Sequence, residues 1–190
     1  MTTVALRRWT RDEYDRMADA GILGPEDRVE LVGGEIVTMT PQKSRHAAAI
    51  QMAIRALRRV FDDTFDVRSQ MPLALDAVSE PEPDIAVVAG SPADFINAHP
   101  STAVLIVEVS DTSLNFDRTT KAAVYARAGL ADYWLVNLVD RVVEVRRDPQ
   151  PSTTGSLEWH FASVRTFRAG DLVAPLARPD AHIAVADILP

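Results

Sequence analysis

Residues 104–109, Val-Leu-Ile-Val-Glu-Val, constrain the fold of this chain more than any other segment. Val104 and Ile106 would point to one side of a strand, and Leu105, Val107 and Val109 to the other. A strand that is apolar on both sides must be covered on both, which puts it at the centre of a sheet with layers above and below. Glu108 interrupts the run near its end. A carboxylate there is costly to bury unless something pairs with it, so the same segment marks the place to look for chemistry.

The rest of the pattern supplies the layers. Residues 11–20 read as a helix, with Thr10 and Glu13 at capping-box spacing and Gly21 as its stop. Residues 28–32 and 35–39 flank Gly33-Gly34 and predict a β-hairpin, because a two-residue turn needs positive φ at both central positions. Residues 44–61 predict a second helix, with Ser44 as N-cap and Ile50, Ile54, Leu57 and Phe61 along one face. Short strands are expected at 65–70, 73–75 and 84–88, a brief helical segment at Ser91-Pro92, and a helix over 117–128 ended by Gly129. A second hairpin joins 133–137 to 141–147. Residues 150–156 read as an exposed loop, 158–167 as one more strand, and the tail alternates weakly. The expectation is one α/β domain over residues 1–190, with helices laid on a central mixed sheet.

Composition narrows the function classes. With 190 residues, 47% hydrophobic and 25% charged, the chain is long enough for a sizeable core and unlike a disordered or fibrous sequence. It has no cysteine, which excludes disulfide scaffolds and thiolate chemistry and fits a cytoplasmic setting. No run of 18 apolar residues occurs, so neither a membrane span nor a secretory signal is expected. The net charge of −7 argues against a protein that coats nucleic acid nonspecifically. It leaves room for an enzyme with a local basic strip beside an acidic metal site. Two acid-free stretches fit such a strip: one carries Lys43, Arg45, His46, Arg55, Arg58 and Arg59, the other Arg118, Lys121 and Arg127. Either set could contact phosphates or be an ordinary solvated helix face.

The chemistry concentrates between residues 80 and 125. Asp84 opens one expected strand and Glu108 nearly closes another. If those strands are neighbours, the two acids converge, and their repulsion favours a raised pKa or a bound cation. Two carboxylates and a backbone carbonyl suit a magnesium ion that keeps several waters. Asp117, Lys121 and Tyr125 share one helix face at four-residue spacing, with Asp117 and Lys121 in the favourable order for a pair. An ammonium near a metal-bound water could orient it or stabilise charge on a phosphate. Spacing alone favours a plainer reading, a structural ion pair between Glu108 and Lys121 with Asp84 capping a turn. Other chemistries find no support: there is no G-x-S-x-G, H-E-x-x-H, Walker A or G-x-G-x-x-G motif, and His46, His99, His160 and His182 lack zinc spacing. No helix-turn-helix or zinc-finger reader is recognisable.

Several short pieces occur in one order: Val29-Glu30-Leu31-Val32-Gly33-Gly34-Glu35-Ile36-Val37, His46, Glu82-Pro83-Asp84-Ile85-Ala86-Val87-Val88, Leu105-Ile106-Val107-Glu108-Val109-Ser110, Asp117 to Lys121, Tyr125-Ala126-Arg127-Ala128-Gly129 and Tyr133-Trp134-Leu135-Val136. Together, over about residues 10–147, they resemble the Uma-type family of the PD-(D/E)XK, restriction endonuclease-like superfamily. The resemblance implies a restriction-endonuclease-like core and a metal-dependent endonuclease acting on phosphodiester bonds, with DNA as substrate, Mg²⁺ (or Mn²⁺) as cofactor and a homodimer as assembly. Asp84 matches the aspartate of the PD element and Glu108 the second acidic ligand, with the Val109 carbonyl completing the metal set. The superfamily's lysine would stand where this chain has Ser110, and Lys121 matches the position from which the Uma-type branch supplies it. Glu30 matches an early acid that supports the metal or orients water, and His46 a histidine that could touch a phosphate. The competing expectation is a catalytically silent domain of the same fold that binds nucleic acid or a protein, and a third is an enzyme acting on another phosphorylated substrate.

Overall fold

A computed structural model describes residues 6–24, 26–153 and 158–190. The chain runs from helix α1 (Arg11–Asp19) through the hairpin β1 (Val29–Val32) and β2 (Glu35–Thr38) to helix α2 (Ser44–Leu57). Next come β3 (Phe65–Arg68), β4 (Ile85–Ala89) and β5 (Leu105–Ser110). A composite helical segment follows: α3 (Leu114–Phe116), a π-helical turn (Asp117–Lys121) and α4 (Ala122–Arg127). Strands β6 (Asp132–Asn137), β7 (Val142–Pro151) and β8 (Trp159–Arg168) complete the main sheet, and β9 (Leu172–Val173) pairs with β10 (Ile183–Ala184) beyond it.

The main sheet has the order β3-β4-β5-β6-β7-β8, with β5 and β6 parallel and every other neighbouring pair antiparallel. This is the expected mixed α/β architecture, and its covering follows from the strand period of two. Ile85, Val87, Leu105 and Val107 pack beneath α2 with Ile50, Ile54, Leu57 and Trp134. Ala86, Val88 and Ile106 pack on the opposite face with Ala122, Tyr125, Tyr133 and Leu135. All six residues of β5 are buried, as the apolar run requires.

Several local expectations hold for their stated reasons. Thr10 and Glu13 form both bonds of the capping box at α1. Gly33 and Gly34 take φ of +59° and +82° between β1 and β2, the sign a tight hairpin turn demands. Gly34 also has no room for a side chain, since a Cβ would lie 2.8 Å from Arg8 Cβ.

Others are corrected. Lys43, not Ser44, caps α2, and it makes no side-chain cap bond; α2 ends at Leu57, leaving Phe61 buried just beyond it. Residues 73–75 form no strand: Leu73 N–H donates to the Pro81 carbonyl and Leu75 N–H to the Ser79 carbonyl, a local fold-back rather than a place in the sheet. The helix expected over 117–128 begins earlier, at Leu114, and carries one π turn, in which Ala122 N–H reaches the Asp117 carbonyl. Strand β7 extends through Gln150 to Pro151, shortening the expected loop, and residues 154–156 of that loop lie outside the described residues.

The π turn is tied to the sheet by Glu144 on β7. Its buried carboxylate accepts from Arg118 Nε at 2.9 Å and from Arg118 Nη2, from Arg146 Nη2 at 2.7 Å and from Asn137 Nδ2 at 3.2 Å. Burial works against the charged form, but the bonds from Arg118, Arg146 and Asn137 outweigh it and hold the pKa below its ordinary value of 4.5. A carboxyl whose pKa is lowered by folding stabilises the folded state above its unfolded pKa and loses that contribution as the pH falls through the folded value. Glu144→Gln is therefore expected to lower stability by about 1–3 kcal/mol at pH 7. Urea unfolding of both proteins should show the difference steady above pH 5 and shrinking below the ordinary pKa of 4.5.

Candidate active site

The pairing of β4 with β5 sets the centre of the site. Ile85 sits opposite Val107, so one step further along the same register brings Asp84 beside Glu108. Asp84 N–H donates to Glu108 Oε2 at 3.1 Å, and Val109 N–H donates to Asp84 Oδ2 at 2.8 Å. The two acids thus meet as their neighbouring strands predicted. A strand residue's N–H and carbonyl point to the same edge, so the Val109 carbonyl also faces the Asp84 side.

Lys121, the last residue of the π turn, reaches this pair from the facing layer. Its Nζ lies 3.0 Å from Glu108 Oε1 and 3.0 Å from Glu30 Oε1. Glu30 comes from β1, and its other oxygen accepts Glu82 N–H at 3.0 Å. Glu108, Lys121 and Glu30 are 3%, 6% and 4% exposed, so the triad is an interior ion cluster rather than a surface salt bridge. His46, in the first turn of α2, places Nε2 3.3 Å from Asp84 Oδ1. Glu30, His46, Asp84, Glu108, Val109 and Lys121 all line one open cleft of about 540 Å³.

The anticipated pairing of Asp117 with Lys121 is replaced by another. Asp117 Oδ2 accepts from the Ser110 and Ser113 hydroxyls, each at 2.6 Å, and Lys121 turns to Glu30 and Glu108 instead. Tyr125 completes the surroundings of Glu108 by donating its hydroxyl to Oε1 at 2.6 Å. Asp117 and Tyr125 were visible in the sequence only as companions of Lys121 on one helix face. Glu82, Gln70, Arg28 and Asp111 also line the cleft and went unpredicted. Glu82 stands two residues before Asp84, the strand repeat that brings side chains to one side, and this was the available signal.

The electrostatics follow from this crowding. Burial pushes the Glu108 carboxyl up to about 8, with Asp84, Asp117 and Glu30 adding to the rise and Lys121 opposing it. Burial disfavours the Lys121 charge, but Glu108, Glu30 and Asp117 outweigh that and push its pKa up, so it stays an ammonium. Asp117 is raised by burial despite Lys121 and its two serine donors. The Tyr125 phenol is driven well above its ordinary value by burial and by the Glu108 charge, and acts as a neutral donor. For His46, burial acts against the imidazolium, while the hydrogen bond and charge of Asp84 prevail and raise its pKa.

The site gathers the Glu30, Asp84, Glu108 and Asp117 carboxyls around one lysine, and the raised Glu108 and Asp117 values mark a crowding of acids that a divalent cation would relieve. Among the described residues no group of three or more His, Cys, Asp or Glu side chains is placed to hold a metal ion. The donor set that remains is two hard carboxylates and a strand-end carbonyl at an open cleft, the kind magnesium accepts while keeping several waters. Asp84, Glu108 and Val109 are the residues that could hold it.

The mixed α/β fold as a whole is shared with a solved structure. A crystal structure described as "a putative nuclease belonging to DUF820 from Anabaena variabilis ATCC 29413" is similar over 94% of this chain and 96% of that chain, with a TM-score of 0.71 at 15% identity. The chain belongs to the Uma2 family, described as "Putative restriction endonuclease", whose profile matches residues 11–177. No curated protein matches it. Among the described residues no helix is long and apolar enough to cross a membrane.

Because Lys121 separates two buried carboxylates, its removal leaves both without their counter-charge. Lys121→Met is expected to cost about 3–5 kcal/mol in metal-free buffer above pH 8, where Glu108 is ionised in the unaltered protein, and less as the pH falls and Glu108 takes up a proton. Denaturant unfolding across pH checks this; a cost that does not change with pH would mean that Glu108 is not the group left uncompensated.

Proposed function

We propose that this protein is a metal-dependent endonuclease that hydrolyses phosphodiester bonds in DNA. The observation that carries the reading is the meeting of Asp84 and Glu108 in one strand register beside the Lys121 ammonium, at a cleft open to solvent. Family membership supports the reaction class.

Asp84, Glu108 and the Val109 carbonyl would hold Mg²⁺, with Mn²⁺ as a substitute. When bound, the ion lowers the pKa of a water and neutralises charge on the scissile phosphate. Lys121, fixed between Glu30 and Glu108, presents a permanent positive charge that orients the attacking water and stabilises the phosphoryl oxygens as charge builds. Glu30 keeps that ammonium in place. His46, whose imidazolium is favoured by the hydrogen bond and charge of Asp84, offers a hydrogen bond to a phosphate oxygen at the cleft wall. Cutting both strands of a duplex takes two cuts, which the paired centres of a homodimer would make together. The absence of cysteine accords with work in the reducing cytoplasm.

Purified protein is expected to nick supercoiled plasmid with Mg²⁺ or Mn²⁺ and to stop on chelation. Asp84→Asn and Glu108→Gln should abolish cleavage, and Lys121→Met should reduce it by about 10²-fold or more. Gel quantification of nicked and linear products reads all of these. Cleavage that survives Asp84→Asn and Glu108→Gln contradicts the assignment, and tight DNA binding with no cleavage under any metal identifies the silent binding domain instead.

A further inference from the structure

One charged surface is left unused by the catalytic reading: the solvent face of α2. Although the chain carries 27 acids, none falls between residues 39 and 61. The helix buries Ala49, Ile50, Ala53, Ile54, Ala56 and Leu57 and leaves Arg45, Ala48, Gln51, Arg55 and Arg58 exposed at the spacing of a single helical face. Arg45, Arg55 and Arg58 have no carboxylate partner among the described residues, whereas most other arginines here do. Lys43 and Arg59 have only loose ones, Asp111 at 3.9 Å and Asp187 at 3.5 Å.

Arginines near the end of a helix are favoured by its dipole, which accounts for Arg55 and Arg58 locally. The dipole does not account for Lys43 and Arg45, which stand at the opposite end, where it favours acids and the first turn has none. That end of the row is also where Lys43 and His46 line the catalytic cleft. From Lys43 to Arg58 the helix spans about 22 Å at about 1.5 Å per residue. Measured along the axis of duplex DNA, that is about six base-pair steps at about 3.4 Å each.

We infer that the exposed face of α2 is a track for the phosphate backbone of a DNA duplex, leading from the cleft along the flank of the cut site. The inference rests on the nuclease reading for its substrate. Contacts of this kind fix register and orientation and carry no base sequence, which fits a chain in which no reader motif is recognisable. They also let a protein of net charge −7 approach a polyanion, because attraction is confined to one strip.

The test is equilibrium binding of a fluorescein-labelled 20-bp duplex, by anisotropy in Ca²⁺, over a range of salt concentrations. The track variant is Arg45→Gln with Arg55→Gln. The control is Arg165→Gln with Arg168→Gln, an equal charge change on exposed positions of β8. Each phosphate contact contributes about 0.9 to the slope of log K against log salt. The track variant is expected to lose about two from that slope and to weaken binding at least tenfold at low salt, while the control follows the unaltered protein. Equal losses in both variants, an unchanged slope in the track variant, or no binding by the unaltered protein overturn the inference. Failure of the nuclease reading looks different: the track variant loses its slope as expected, but no metal yields cleavage by the unaltered protein.

Discussion

Glu108 is the constraint on which the rest depends. A carboxylate in an otherwise apolar central strand cannot be left without partners, and here each oxygen is met from a different part of the fold: Oε2 by the Asp84 N–H ahead of β4, Oε1 by Lys121 from the π turn and by Tyr125 from α4. Those bonds fix the β4–β5 register, the depth at which α4 packs and the direction of Lys121. The cluster is a structural necessity and, in the proposed function, the reaction centre as well. That explains why spacing alone could not separate an ion pair from an active site.

The lysine's route is the second lesson of the geometry. Ser110, two residues after Glu108, is fully buried and bonded to Asp117. Asp117 begins the π turn, Tyr133 holds the Asp117 carbonyl from the sheet, and Glu144 holds Arg118 one residue on. Lys121 arrives as the last residue of that turn. Widened turns of this kind recur at functional sites because they re-aim a side chain without breaking the helix. Ser110 thus supports the lysine's position indirectly, through the turn it anchors.

Much of this was legible from residue pattern. The two-sided apolar run gave β5 its central place, the double glycine gave the hairpin, and the order of Asp84, Glu108 and Lys121 brought the centre together. What escaped has physical causes. The prolines at 81 and 83 signalled a break but not the fold-back that draws Leu73 and Leu75 onto residues 79–81. A π turn has no distinct apolar period, so residues 117–128 read as plain helix. Glu30 as a partner of Lys121, and Tyr125 as a donor to Glu108, depend on contacts across layers that no local spacing encodes.

The central claim is that this carboxylate cluster holds a divalent cation. Anomalous diffraction from crystals soaked in Mn²⁺ tests it most directly. The account predicts a metal peak in the cleft with bonds of about 2.1 Å to oxygens of Asp84 and Glu108 and to the Val109 carbonyl. Saturating Mn²⁺ that appears only elsewhere, with Glu108 still enclosed by Lys121, Tyr125 and the Asp84 backbone, would contradict it.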